Sequence, residues 1–206
     1  MFKTQKITVA AKCAPDEEIL DNIKKAGLGA VELYLDMNKL RKVNNISKIC
    51  NKFPFRYAVH APNDGFDPES LAELVVHLKA EAVIFHDIYW DDEWEQVAQI
   101  FKNVNTRICV ENTSSIHEPL KLMRRYGFKR CLDLEHLQMQ ATGVFEEEFI
   151  HPIRQASHIH LTGYSFGSDK WHTHIHHSPE HGNYFLDLIK KAGYSGLVVS
   201  EARVSY

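Results

Sequence analysis

The sequence contains no C-x-x-C pair. Its four cysteines, Cys13, Cys50, Cys109 and Cys131, are scattered. That spacing argues against a disulfide scaffold or a thiolate zinc site, and fits a reduced cytoplasmic protein. No apolar run is long enough to span a bilayer, so no membrane partner is expected. The opening stretch MFKTQKITVAAKCAPDEE holds only a short apolar segment before Pro15 and the acids Asp16, Glu17 and Glu18, so no signal peptide is expected. Excess positive charge is also missing. The formal net charge is −3 with histidine neutral, which gives no electrostatic drive toward DNA or anionic membranes. After the first apolar run stands AKCAPDE rather than a G-x-G-x-x-G phosphate loop, which weakens a dinucleotide-binding open sheet. No Ser-, Pro- or Gly-rich linker divides the 206 residues. One domain over residues 1–206 is expected, long enough to bury a substantial core.

Histidine is what the sequence has in abundance, with 13 residues. They form no homopolymer at either end. Several stand singly at the ends of apolar runs, and others crowd into His172–His181. Imidazole is a common ligand for transition metals, so metal chemistry is the first reading to test.

Eight short apolar runs alternate with longer amphipathic stretches. The runs are 7–11, 30–34, 57–60, 82–86, 107–111, 130–134, 158–162 and 196–201, rich in Val and Ile and nearly continuous in apolarity. Such runs suit strands covered on both faces. Helical spacing is predicted over 16–26, 67–79, 91–104, 115–126, 145–156 and 180–192, and less clearly over the polar stretch 38–52. KKAGLGAVEL (24–33) echoes KKAGYSGLVVSE (190–201), as a repeated helix–loop–strand unit would. Strand–helix alternation implies a parallel sheet. Polar residues stand at the C-terminal end of most runs, where barrel active sites lie, so the expected fold is a compact α/β (β/α)8 TIM barrel.

These ends carry Glu32, His60, His86, Glu111, Asp133 with His136, His158 with His160, and Glu201. In a closed barrel they would converge on one mouth. A mixture of carboxylates and imidazoles suits Zn, Mn, Fe or Co, with Zn or Mn the expected metal, whereas oxygen-only sets would suit Mg or Ca better.

The motifs V-H-A-P (59–62), V-E-N (110–112), L-D-L-E-H (132–136), H-I-H-L (158–161) and S-E-A (200–202) resemble those of the xylose isomerase-like barrel superfamily. That superfamily includes sugar isomerases and epimerases and also endonuclease IV. The resemblance covers nearly the whole chain. It implies a shared metal set of Glu111, Asp133, His160 and Glu201. The endonuclease IV branch implies further ligands at His60, His86 and His136. The segment H-I-H-H-S-P-E-H-G-N (174–183) resembles a stretch of that branch, which adds His176, and His174 where the branch has Asp.

The expected activity is a metal-dependent isomerase or epimerase acting on a small sugar or sugar phosphate. The resemblance to the epimerases of that superfamily implies that Glu111 and Glu201 are the catalytic acid/base pair, exchanging protons through an enediolate. The alternative is a multi-metal phosphoester hydrolase resembling endonuclease IV. The expected partner is a small carbohydrate, and nucleic acid is not expected. Glu32 reads as a structural polar group and His158 as a core residue. Trp90, Phe166 and Trp171 are candidates to pack on a sugar face. The segment 162–168 (TGYSFGS) is a weak phosphate-loop candidate.

Overall fold

The computed structural model describes residues 6–113, 115–140, 145–163 and 172–202. Eight parallel strands close into a barrel in chain order. They are β1 (Ile7–Cys13), β2 (Ala30–Tyr34), β3 (Arg56–His60), β4 (Ala82–His86), β5 (Arg107–Glu111), β6 (Lys129–Asp133), β7 (Ala156–Leu161) and β8 (Gly196–Ser200). The fold is therefore the (β/α)8 barrel that the alternation predicts. The helices are α1 (Glu17–Lys25), α2 (Met37–Leu40), α3 (Val43–Cys50), α4 (Pro68–Leu78), α5 (Asp91–Ile100), α6 (Glu118–Tyr126), α7 (Leu134–Gln140), α8 (Phe145–Gln155) and α9 (Pro179–Lys191). The polar stretch 38–52 resolves into the two short helices α2 and α3.

The helices begin and end where local chemistry directs. Asp16 caps α1 by accepting from the backbone N–H groups of Glu18 and Ile19, and Asp67 caps α4 through Ser70. The internal echo is structural: α1 and α9 both end in a Lys-Lys pair followed by a left-handed glycine, Gly27 and Gly193, before the next strand.

Side chains alternate across each strand. One set faces the helices. It includes Val31, Leu33, Val59, Val83, Phe85 and Val110 in one cluster, and Leu132, Ile159 and Val198 in another. The other set fills the barrel. Ala10, Ala30, Ala58, Ala82, Ile84, Cys109, Cys131, Leu197 and Val199 form one buried cluster. Small residues let a barrel of this size close on a packed floor. Two residues beyond that floor, on the same face of each strand, the character changes. Ala10 is followed by Lys12, Ala30 by Glu32, Ala58 by His60 and Ile84 by His86. Likewise Cys109 is followed by Glu111, Cys131 by Asp133 and Val199 by Glu201, while β7 carries His158 and His160. A polar ring thus sits directly on an apolar floor, at the C-terminal mouth.

Candidate metal centre

Glu111, Asp133, His160 and Glu201 each offer a ligand atom, and these atoms lie within 4.8 Å of one another. Four strands supply them, and three of the four side chains are held from behind. Asn112 is fully buried. Its Nδ2 donates to the Asp133 carbonyl at 3.1 Å, and its Oδ1 accepts from the Asp133 N–H at 2.9 Å. This reciprocal pair fixes the end of β6 beside Glu111. Asp133 Oδ1 accepts the N–H of His136 at 2.9 Å, which caps the start of α7. His160 Nε2 donates to Glu32 Oε2 at 3.1 Å. Lys12 Nζ donates to Glu201 Oε1.

The opposite atom of each of these three groups is left over. Asp133 Oδ2, His160 Nδ1 and Glu201 Oε2 are buried and have no hydrogen-bond partner. Buried polar atoms without partners are costly and call for an explanation. His160 Nδ1 lies 2.8 Å from Glu201 Oε2 and 3.2 Å from Glu111 Oε2. With its proton committed to Glu32, Nδ1 presents a lone pair to carboxylate oxygens. Acceptors this close repel unless a proton or a cation lies among them. Without a metal, the proton takes that place. Burial disfavours the imidazolium, but Cys131 and the carboxylates of Glu32, Glu201 and Glu111 outweigh it and raise His160 well above its ordinary pKa. Three carboxylates and one imidazole aimed at a common point fit a divalent cation equally well.

The carboxylates are tuned in different directions. Burial opposes ionisation of Glu111, yet His160, His60 and His86 hold it well below the usual carboxylate range. Glu201 is lowered likewise, against burial, by His160 and Lys12. Asp133 moves the other way, pushed up to about 6 by burial and by Glu111.

A second group of three, His60, His86 and Glu111, also brings ligand atoms within 4.8 Å of one another. His60 Nδ1 donates to the Ala61 carbonyl at 3.0 Å, and its Nε2 lies 3.2 Å from Glu111 Oε2. His86 Nε2 lies 3.6 Å from the same oxygen. Burial lowers the His86 pKa to about 4, against the pull of Glu111, so its ring is neutral at pH 7. His136 donates through Nδ1 to the Asn112 carbonyl at 2.9 Å, and the same nitrogen lies 3.7 Å from Glu111 Oε1. A third group, Cys131, His158 and His160, lies deeper and is fully buried.

The remaining sequence candidates fall around this centre. His158 is fully buried and donates through Nε2 to Glu32 Oε2 at 2.7 Å, a core role as expected. Glu32 lies inside the barrel as the common acceptor of His158 and His160. His174 and His176 lie in the segment before α9, with His176 exposed, and their rings pack with that of His177. They belong to none of the three groups. Trp90 is 77% exposed at the start of α5. Phe166 and Trp171, and residues 164–168 of TGYSFGS, lie outside the described residues.

Two site residues escape the sequence reading. Lys12 is one, because the apolar run ends at Ala11. Counting two residues on from Ala10 would have found it. His172 is the other. Its backbone takes a left-handed conformation at φ 54°, held by its N–H donating to both oxygens of Glu135 at 3.1 and 3.2 Å. The segment returns to the mouth through a bridge between Gly163 and Thr173. A Cβ at Gly163 would stand 2.4 Å from the His174 carbonyl oxygen, so only glycine allows this approach.

No family model matches the chain, and no curated protein does. Solved structures share its fold. The apo 3-keto-D-glucoside 4-epimerase YcjR from E. coli superposes with a TM-score of 0.69 at 12% identity, over 98% of this chain and 94% of that one. A D-allulose 3-epimerase from Methylomonas sp. gives 0.71 at 11% identity, over 100% and 87%. The TTHB071 protein from Thermus thermophilus, in a crystal soaked with ZnCl2, gives 0.68 at 17% identity, over 97% and 92%.

Proposed function

We propose that the chain is a metal-dependent isomerase or epimerase of a small sugar or sugar phosphate. The observation that carries this reading is that Glu111 and Glu201, from β5 and β8, aim at one point together with Asp133 and His160. Held there, a divalent cation would supply electrostatic stabilisation to adjacent carbonyl and hydroxyl oxygens of the substrate and to the enediolate formed when a proton leaves. The donor set favours Zn or Mn. Glu111 and Glu201 are ionised and reach the site from different strands. One would take the C–H proton and the other would return a proton on the opposite face. Asp133 and His160 would hold the cation in register, fixed by Asn112 and Glu32. Two similar structures bear epimerase names, which supports the reading. The four unpaired cysteines accord with a reducing cytoplasm. Elemental analysis together with a deuterium-exchange screen over ketoses and their phosphates tests it. One metal per chain and exchange of a substrate C–H proton are expected. Absence of exchange on every sugar would count against it.

One observation favours a second reading, a phosphoester hydrolase with more than one metal. His60 Nε2 lies 3.2 Å from Glu111 Oε2, and His86 completes a second three-ligand group on the same carboxylate. Glu111 belongs to both groups, and cations held by them would supply water activation. His136, His174 and His176 would be drawn on for further metal in that case. Two or more metals per chain with phosphate release would favour it.

A further inference from the structure

Lys12 takes no part in the proton transfers proposed above, yet it lies against the centre. It stands on the inner face of β1, two residues beyond Ala10, and its side chain is 7% exposed. Its ammonium contacts Glu201 Oε1 and lies 3.4 Å from Glu32 Oε1. Glu32 Oε2 in turn accepts from His160 Nε2. Glu201, Lys12, Glu32 and His160 therefore form one connected path behind two of the four metal-facing groups, and it crosses β8, β1, β2 and β7. The register of the closing strand pair, with Ala11 opposite Ser200, sets Lys12 beside Glu201.

We infer that Lys12 is a positioning residue for the metal-binding set, holding Glu201 directly and His160 through Glu32. The inference rests on the reading that this set binds a divalent cation. With one oxygen of Glu201 committed to the ammonium, the other turns toward His160 Nδ1 and the common point. With one oxygen of Glu32 drawn to Lys12, the other stays under His160.

The alternative is that Lys12 only offsets negative charge. The two roles predict opposite effects. An ammonium close to a divalent cation repels it, so removing a mere counter-charge would tighten metal binding. Removing a group that orients ligands weakens metal binding, typically by 10- to 100-fold.

The test compares wild type with Lys12→Met and Lys12→Arg in titrations with Mn2+ and with Zn2+, read as dissociation constants. Lys12→Met is expected to bind about tenfold or more weakly. Lys12→Arg, which keeps a cationic donor, is expected to recover most of that loss. In turnover, kcat should fall more than KM changes, since the lost group orients ligands rather than substrate. Should Lys12→Met fail to fold, Lys12→Gln carries the same comparison. A Lys12→Met or Lys12→Gln protein that binds metal as tightly as wild type, or more tightly, would overturn the inference while leaving the metal centre standing. Wild type that binds neither ion would remove both.

Discussion

His160 Nε2 donates to Glu32 Oε2 at 3.1 Å, deep inside the barrel. That contact selects the tautomer of His160 and turns its Nδ1 toward Glu111 and Glu201. A carboxylate behind a ligating imidazole both orients the ring and raises its basicity.

Replacing Glu32 should therefore act at a distance on metal binding. Glu32→Gln keeps the shape but loses the charge, and it can no longer accept equally well from both His158 and His160. Its affinity for Mn2+ or Zn2+ should fall by roughly 10- to 100-fold, measured by competition with a chelator. Affinity equal to wild type would mean that Glu32 serves the barrel interior alone.

Asp133 makes a pH prediction with a definite sign. In metal-free protein its pKa stands at about 6, raised by burial and by Glu111. An acid whose pKa rises on folding costs nothing while protonated in both states, and costs most once the pH exceeds the folded value. Asp133→Asn removes that cost. In the presence of chelator, its stability relative to wild type should change little near pH 4 and increase toward pH 7, by up to about 3 kcal/mol. Denaturant unfolding at both pH values checks this. A relative stability that falls toward pH 7 would contradict the assignment.

Metal should reverse that balance. At a free metal concentration of about 100 times the dissociation constant, binding to the folded state adds roughly 2.7 kcal/mol. For a chain of this length the melting temperature should rise by roughly 5 to 10 °C. Asp133→Ala should lose most of the gain in a thermal scan. An equal gain in wild type and variant would place the metal elsewhere.

Much of this centre is legible in the sequence, for a physical reason. Strands buried on both faces must be apolar, so Val- and Ile-rich runs mark them, and a polar residue at a run's end stands out. Glu111, Asp133, His160 and Glu201 are visible in this way, and so are His60 and His86. Lys12 is not, because Lys12-Cys13-Ala14-Pro15 reads as a loop after Ala11, whereas β1 continues to Cys13. The helix α7 is missed because Leu134 follows Asp133 with no turn residue between. Its start depends on Asp133 Oδ1 capping the His136 N–H, a contact known only once the fold is. The role of Glu32 depends on pairing across the barrel, with His158 126 residues away in sequence. No local pattern encodes that distance.

His86 separates the two readings of chemistry. It belongs to the group of His60 and Glu111 and lies outside the four groups that share one point. Under the isomerase reading, His86→Ala should reduce C–H exchange by less than about tenfold, since proton transfer rests on Glu111 and Glu201. Under the hydrolase reading, the loss should equal that of a glutamate. Rates of the variant on the substrate found for wild type distinguish them.

The central claim is that Glu111 and Glu201 move protons at a substrate carbon. Its most direct measurement is deuterium wash-in from D2O at the C–H bond of a ketose substrate, followed by NMR with metal-loaded protein. Wild type should exchange that proton. Glu111→Gln and Glu201→Gln should each cut the rate by roughly 10²- to 10⁴-fold, because an amide cannot abstract or return a proton. Phosphate release from a phosphoester by wild type, with no C–H exchange on any sugar tried, would contradict the account.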